Sequence, residues 1–431
     1  MSGRETEVSS MVINFYKILM TLIFPILKVT YIKKRQRRGK EHPIRFGERI
    51  GIYKKKRPEG KLYWFHGASV GESVSMLPLI DKLLKEDENL SIMVTTGTIT
   101  SAEIMAKRLP ERAFHQFIPF DVPRYVKNLI NHFNPDAVLW FESELWPSFL
   151  SEIKKRNIPF ILVNGRISDK SYKNWKKFRF LSKELLSCFS LCLGQSEQDK
   201  NRLKFLGASR VDCVGNLKYA GMPLDVDKNK LDELKEKVKN KRVFVLSSTH
   251  NNEEEQFADQ IRHLQDFVPN VFIIVAPRHP ERGIEVTNMF RRKGFNVAQR
   301  SKDEPITDDV EIYVADTIGE MGLWYGVGEI SFIGGSLINR GGQNFNEPAR
   351  CKNAVIVGNF MNNFSDMINR AKINNAVWQF SSASDVIDEV IALFKEDELL
   401  QERQNNAYAW TVLENKVLDG ISSILNRELK K

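Results

Sequence analysis

Cysteine is scarce and unpaired in this chain of 431 residues: Cys188, Cys192, Cys213 and Cys351 show no C-x-x-C spacing. Seven histidines form no H-x-x-x-H cluster. A disulfide framework and a zinc site are therefore not signalled, and a reducing cytoplasm is the natural setting. Long apolar runs are missing too. Between Lys17 and Lys28 the uncharged stretch is only Ile18–Leu27, with Pro25 inside it, whereas a bilayer span needs about 20 apolar residues. Positive charge is not diffuse either. The net charge is +10, of which Lys33, Lys34, Arg35, Arg37, Arg38 and Lys40 supply six and Lys54, Lys55, Lys56 and Arg57 supply four. The rest of the chain is formally neutral. No basic motif is interleaved with aromatics, so nucleic acid is not an expected partner. With 42% hydrophobic and 27% charged residues, disorder is excluded as well.

Both basic clusters follow the apolar segment Met11–Ile32, a pairing that suggests an anionic membrane surface. Lysines that snorkel toward headgroups would allow one tilted span, and interfacial anchoring is at least as good a reading. The segment lacks an A-x-A-like cleavage site and its charge follows the apolar run, which argues against a signal peptide. Charge placed after the segment keeps the body on the cytoplasmic side.

From Leu62 onward, short apolar runs alternate with polar or glycine turns and helical periods. Leu62–His66, Ile92–Thr96, Phe117–Phe120, Ala137–Phe141, Phe160–Val163, Leu191–Leu193 and Val211–Val214 read as buried strands. Asp81–Glu86, Ser101–Leu109 and Trp146–Lys155 read as helices between them. A second series comprises Val243–Ser247, Val271–Ala276, Ile312–Ala315, Ile330–Ile333 and Ala354–Val357. The length favours two domains, and the pattern predicts an α/β protein with two doubly wound Rossmann-like domains facing each other across a cleft. The expected boundaries are an anchor and polybasic segment at 1–40, a first domain at 41–215, a linker at 216–230 and a second domain at 231–431. The run Asp397–Asn426 could close the second domain or return to the first.

In open parallel sheets, ligands bind beyond the carboxyl ends of the strands. The densest such signal is Phe332-Ile-Gly-Gly-Ser336 running into Arg340-Gly-Gly-Gln-Asn-Phe-Asn-Glu-Pro-Ala349. Its glycines offer backbone N–H groups to a phosphate, Asn344–Pro348 open a helix, and Glu347 suits sugar hydroxyls. Glycines placed for packing alone are the plainer alternative. Glu72, in the small-residue loop after the first strand, suits a general base, or a helix cap only. Glu142 and Glu144 follow another strand at the same edge. Arg278, in Pro277-Arg-His-Pro280, is a planar cation suited to phosphate. Gly319-Glu320-Met321, after Asp316-Thr317, suits backbone contacts to a base, with N-capping by Asp316 or Thr317 the competing reading. Lys218 stands at the linker. Asp225-Val-Asp227 resembles a metal-binding Asp-x-Asp but falls in the linker, so no metal or other cofactor is expected.

Taken in order, Ser69-Val-Gly-Glu72, Glu142-Ser-Glu-Leu-Trp-Pro147, Gly215-Asn-Leu-Lys218, Ser248-Thr-His250, Pro277-Arg-His-Pro280, Gly319-Glu-Met321, Gly334-Gly-Ser336 and Asn344–Pro348 resemble the 3-deoxy-D-manno-octulosonic acid (Kdo) transferases of lipopolysaccharide synthesis. The resemblance covers nearly the whole chain. It implies a GT-B glycosyltransferase, an inverting enzyme that moves Kdo from CMP-Kdo to a lipid A precursor, lipid IVA. It implies Glu72 as general base, with Glu142 and Lys218 assisting the transition state. Pro277, Arg278, Gly319, Glu320, Met321, Asn344, Phe345, Asn346 and Glu347 would hold CMP. Competing readings are another GT-B enzyme, such as a heptosyltransferase or a sugar-nucleotide epimerase, and a non-catalytic membrane-tethered protein that binds nucleotide or lipid. The last leaves the coincidence of Glu72, Arg278 and the glycine turn unexplained.

Overall fold

Contiguous apolar runs with β-branched and aromatic residues build two parallel sheets whose faces are both covered. The computed structural model describes residues 3–27, 34–35, 39, 41–142, 144–217, 224 and 226–429. The first sheet contains β1 (Lys61–His66), β2 (Leu90–Thr96), β3 (Ala113–Phe117), β4 (Ala137–Phe141), β5 (Phe160–Gly165), β6 (Leu191–Gly194) and β7 (Val211–Cys213). Its order is β3-β2-β1-β4-β5-β6-β7. The second contains β8 (Arg242–Thr249), β9 (Val271–Pro277), β10 (Val297–Gln299), β11 (Ile312–Val314), β12 (Ile330–Ile333), β13 (Ala354–Gly358) and β14 (Trp378–Phe380). Its order is β10-β11-β9-β8-β12-β13-β14.

Successive side chains of a strand point to opposite faces, and here each face meets helices. Leu62 and Trp64 of β1 enter one apolar cluster while Tyr63 and Phe65 enter another. In β8 the same division separates Phe244 and Leu246 from Val243 and Val245. This explains why the strands read as unbroken apolar runs.

The chain divides into two compact units, Met1–Ala220 with Asn415–Lys431, and Gly221–Glu414. The last helix, Asp397–Leu429, starts in the second unit and ends in the first, where Val417, Ile421 and Leu425 join the buried cluster of Tyr63 and Phe65. Burial of these three apolar residues decides a destination the sequence left open. Asp227 accepts from the Asn229 and Lys230 N–H groups at 3.0 and 3.3 Å. It therefore caps the helix Lys228–Val238, which begins inside the expected linker, and is not half of a metal motif. Asp225 and Lys218 lie outside the described residues.

Three strands differ from expectation. β3 lies at 113–117, not 117–120, because His115 and Gln116 sit inside the sheet: His115 Nε2 bonds Thr96 Oγ1 at 2.9 Å, and Gln116 is buried. The three-residue strands β10 and β14 were not anticipated; neither contains an apolar run long enough to register in the sequence. At the N-terminus, Gly3–Leu27 forms one helix, in which Glu7–Pro25 is long and apolar enough to cross a membrane by length and composition.

Candidate active site

In each unit the chain turns from one side of the sheet to the other beside its first strand, at β1/β4 and at β8/β12. Such switch points open a crevice at the strand ends. In the first unit His66 of β1 is level with Trp140 of β4, so the loops that follow the two strands are neighbours.

Ser69 is the N-cap of the helix Val70–Glu86, its hydroxyl accepting from the Glu72 N–H at 3.2 Å. Glu72 reciprocates: Oε1 accepts from Ser69 Oγ and Oε2 from the Ala68 N–H, both at 2.7 Å. This is a capping-box arrangement displaced by one residue. The capping reading of Glu72 is therefore correct as far as it goes. Each oxygen keeps a further lone pair, however, and a carboxylate held by two donors is oriented without being used up. Gly67 permits the fold-back, since a Cβ there would meet Glu72 Cβ at 3.0 Å and Met76 Cε at 2.2 Å.

Glu142 follows β4 with φ of 61°, its N–H donating to Val163 O at 3.1 Å. A non-glycine residue in the left-handed region is uncommon, and such strain concentrates at functional sites. Burial pushes the Glu144 carboxyl up, and the charges of Glu72 and Glu142 add to the rise. The three carboxylates thus share one electrostatic environment, although no group of three or more His, Cys, Asp or Glu among the described residues could hold a metal ion. His66 is fully buried; its Nδ1 bonds Thr95 Oγ1 at 3.0 Å, and burial pulls its pKa down to about 3. A neutral imidazole packed 4.0 Å from Trp140 and 5.2 Å from Trp146 forms an aromatic wall beside the acidic loop.

In the second unit, Ser247 of β8 is level with Ile333 of β12. The first part of the glycine turn after β12, residues 335–337, already binds an anion of the protein's own. Glu253, fully buried, accepts from the N–H groups of Gly335 at 2.7 Å and of Ser336 and Leu337 at 3.1 Å, and from His250 at 3.0 Å. Burial pushes this carboxyl up while the four donors pull against it. Of the four glycines expected to face a phosphate, Gly335 gives its N–H to the protein's own carboxylate. Gly334 serves close packing, because a Cβ there would lie 2.3 Å from Ser248 O.

Positive charge gathers beside that turn. Arg278 is exposed, and its N–H donates to Thr249 O at 2.9 Å. Arg282 pairs at 2.8 Å with the buried Glu254 and so pins the Pro277–Pro280 turn to the helix Glu253–Phe267. Burial lowers the His250 pKa, and His279, Arg340, Arg278 and Arg282 lower it further, so these cations converge on one spot. Arg340 was not among the expected site residues; it stands in the glycine run, where sequence offers no hint that its charge acts on His250.

Glu320 is held by Arg300 at 2.7 and 2.9 Å, which keeps its carboxyl near about 2. Its side chain is committed, leaving the main chain of Gly319–Met321 for any base contact. Asp316 does not cap the helix Met321–Val327; it accepts from the Ser301 N–H at 2.9 Å and from Gln299 Nε2 at 2.6 Å. In the turn 344–347, Phe345 is fully buried and Asn346 accepts from Trp410 Nε1 at 2.9 Å. These two side chains point into the core, whereas Asn344 and Glu347 are half-buried and linked at 3.1 Å.

The family model described as 3-deoxy-D-manno-octulosonic-acid transferase matches residues 44–221. A 3-deoxy-D-manno-octulosonic acid transferase from Rickettsia bellii is 34% identical over 417 residues, spanning 96% of this chain and 99% of its own. The chain belongs to the Kdo transferase family. Another member, from Haemophilus influenzae, is 30% identical over 96% of this chain and 99% of its own. A glycosyltransferase structure from Rickettsia africae covers 87% of this chain and 100% of its own with a TM-score of 0.55 at 16% identity. The fold is thus of the GT-B type, and the Kdo transferases are glycosyltransferases. Within this family the acidic crevice of the first unit and the cationic one of the second are the parts with chemistry to assign.

Proposed function

We propose that this Kdo transferase moves Kdo from CMP-Kdo to lipid IVA, the step that begins the lipopolysaccharide inner core, at the cytoplasmic face of the inner membrane. The observation that carries the reading is the Glu72 carboxylate, oriented at a switch-point crevice by Ala68 and Ser69. Glu72 takes the proton of a primary sugar hydroxyl, whose oxygen attacks the anomeric carbon with inversion as CMP leaves. Glu142 and Lys218 assist the transition state. The second unit, Gly221–Glu414, holds CMP. Arg278 meets the phosphate of the leaving group, joined by Arg340, and preorganised positive charge is worth most where charge develops. Pro277 shapes that turn. The main chain of Gly319, Glu320 and Met321 meets the base, Asn344 and Glu347 meet the ribose, and Phe345 and Asn346 contribute backbone only. No metal enters the reaction. The basic segment and the N-terminal helix bring the chain to an anionic membrane surface where a lipid acceptor resides.

The test is incubation of purified protein with CMP-Kdo, generated in situ, and lipid IVA in the presence of chelator, followed by mass spectrometry of the lipid. A gain of one or more Kdo masses is the expected result. No product together with retained CMP binding would overturn the acceptor assignment.

A further inference from the structure

We propose that the helix Gly3–Leu27 does not cross the bilayer but lies along the surface of the first unit and inserts one apolar face into a single leaflet of an anionic membrane. This deepens the membrane part of the reading above and rests on it.

The inward face of the helix is bound to protein by polar as well as apolar contacts. Ser9 Oγ donates to Phe180 O at 3.1 Å. The Tyr16 hydroxyl hydrogen-bonds to Asp121, which also accepts from the Ser148 and Phe149 N–H groups at 3.2 and 3.1 Å. Lys17 lies in the field of Glu152 and Asp121. Ile13 and Phe24 are buried, Phe24 against Phe120 at 4.9 Å and Tyr125 at 5.4 Å between ring centroids. The outward face is the reverse: Met11, Phe15, Ile18 and Leu22, one stripe at helical spacing, are 59–70% exposed. A helix on a water-facing surface turns its polar side outward; this one turns it inward.

A spanning helix would have to leave the unit. Tyr16 and Lys17 would then enter hydrocarbon without their partners, and Asp121 would lose a donor, each change unfavourable. Lying in the interface breaks none of these bonds and buries the stripe. Charge complementarity selects the leaflet. The helix Arg179–Leu186 packs against the N-terminal helix, and with the preceding helix Asp169–Lys177 it presents exposed Lys170, Lys173, Lys176, Lys177 and Arg179. Phe178, between them, is exposed as well. Basic residues beside an apolar stripe match anionic headgroups above acyl chains.

Two readouts test this on the full chain, and neither uses Kdo transfer, so failure of the reaction and failure of the topology are separately visible. A Gly3→Cys variant is treated with a membrane-impermeant maleimide in intact spheroplasts and after lysis, and its N-terminal peptide is weighed. Labelling only after lysis is expected; labelling in intact spheroplasts overturns the proposal. Phe15→Glu with Leu22→Glu, both at exposed positions and checked for unchanged thermal unfolding, should weaken binding to phosphatidylglycerol-containing vesicles by about tenfold or more. Unchanged vesicle binding also overturns it.

Discussion

The two crevices share a topology and a residue type yet differ in what that residue does. Glu72 and Glu253 each stand in the first turn of the helix that follows the first strand of their unit. Glu72 turns back on its own loop, three and four residues away, and remains near Glu142 and Glu144. Glu253 reaches loop 335–337, 82–84 residues on, and is enclosed there. One crevice therefore keeps a carboxylate with spare lone pairs in acidic surroundings, while the other has used its carboxylate to brace a glycine turn and gathers Arg278, Arg282 and Arg340 around His250. Position in a fold does not assign a role; the partners that the rest of the chain delivers do.

The largest effect should separate the two glutamates by kind. Glu72→Gln is expected to lower transfer by about 10²–10⁴-fold with CMP affinity unchanged, measured by lipid product and calorimetry. Retained turnover would remove Glu72 from the chemistry. Glu253→Gln is expected to act on stability, leaving buried N–H donors unmatched at a cost of about 3–5 kcal/mol, read by denaturant unfolding. A fully stable variant would mean the glycine turn does not need its internal anion.

Smaller effects sharpen the contrast of charge. Arg278→Ala should weaken CMP binding by about 10–100-fold, the range of a charge-assisted hydrogen bond, without altering thermal unfolding. An unchanged affinity would move the phosphate elsewhere, with Arg340→Ala the next variant. The pH response should carry opposite signs in the two units. Burial raises Asp121 to about 6, so from about pH 4 to 6 the folded state holds a proton that the unfolded chain has released. Stability contributed there falls as pH rises through that window. Asp121→Asn should flatten the slope, by about 2–3 kcal/mol at most. Glu320, held near about 2 by Arg300, contributes stability above the ordinary carboxylate range and loses it as pH falls toward about 2. Unfolding followed from pH 3 to 7 in each single variant checks both signs.

Much of this was legible in the residues. Unbroken apolar runs marked β1, β4, β8, β9 and β12 because strands covered on both faces have no polar side. Placing polar motifs at the ends of those runs located both crevices. That Glu253 takes the Gly335 N–H was not legible, since the two residues are 82 apart. The inward turn of the Asn346 side chain was not legible, because its partner, Trp410, lies 64 residues away.

Local composition determined by itself where strands, caps and the apolar N-terminal helix form, since propensity, capping and period are properties of neighbouring residues. The motif order carried the family. Tertiary structure alone decided which carboxylate is spent inside the protein, that Arg340 joins Arg278 beside His250, that the last helix returns to the first unit, and that Tyr16 faces Asp121. Each of these rests on groups brought together from distant parts of the chain, and a buried polar group takes whichever partner folding brings within reach.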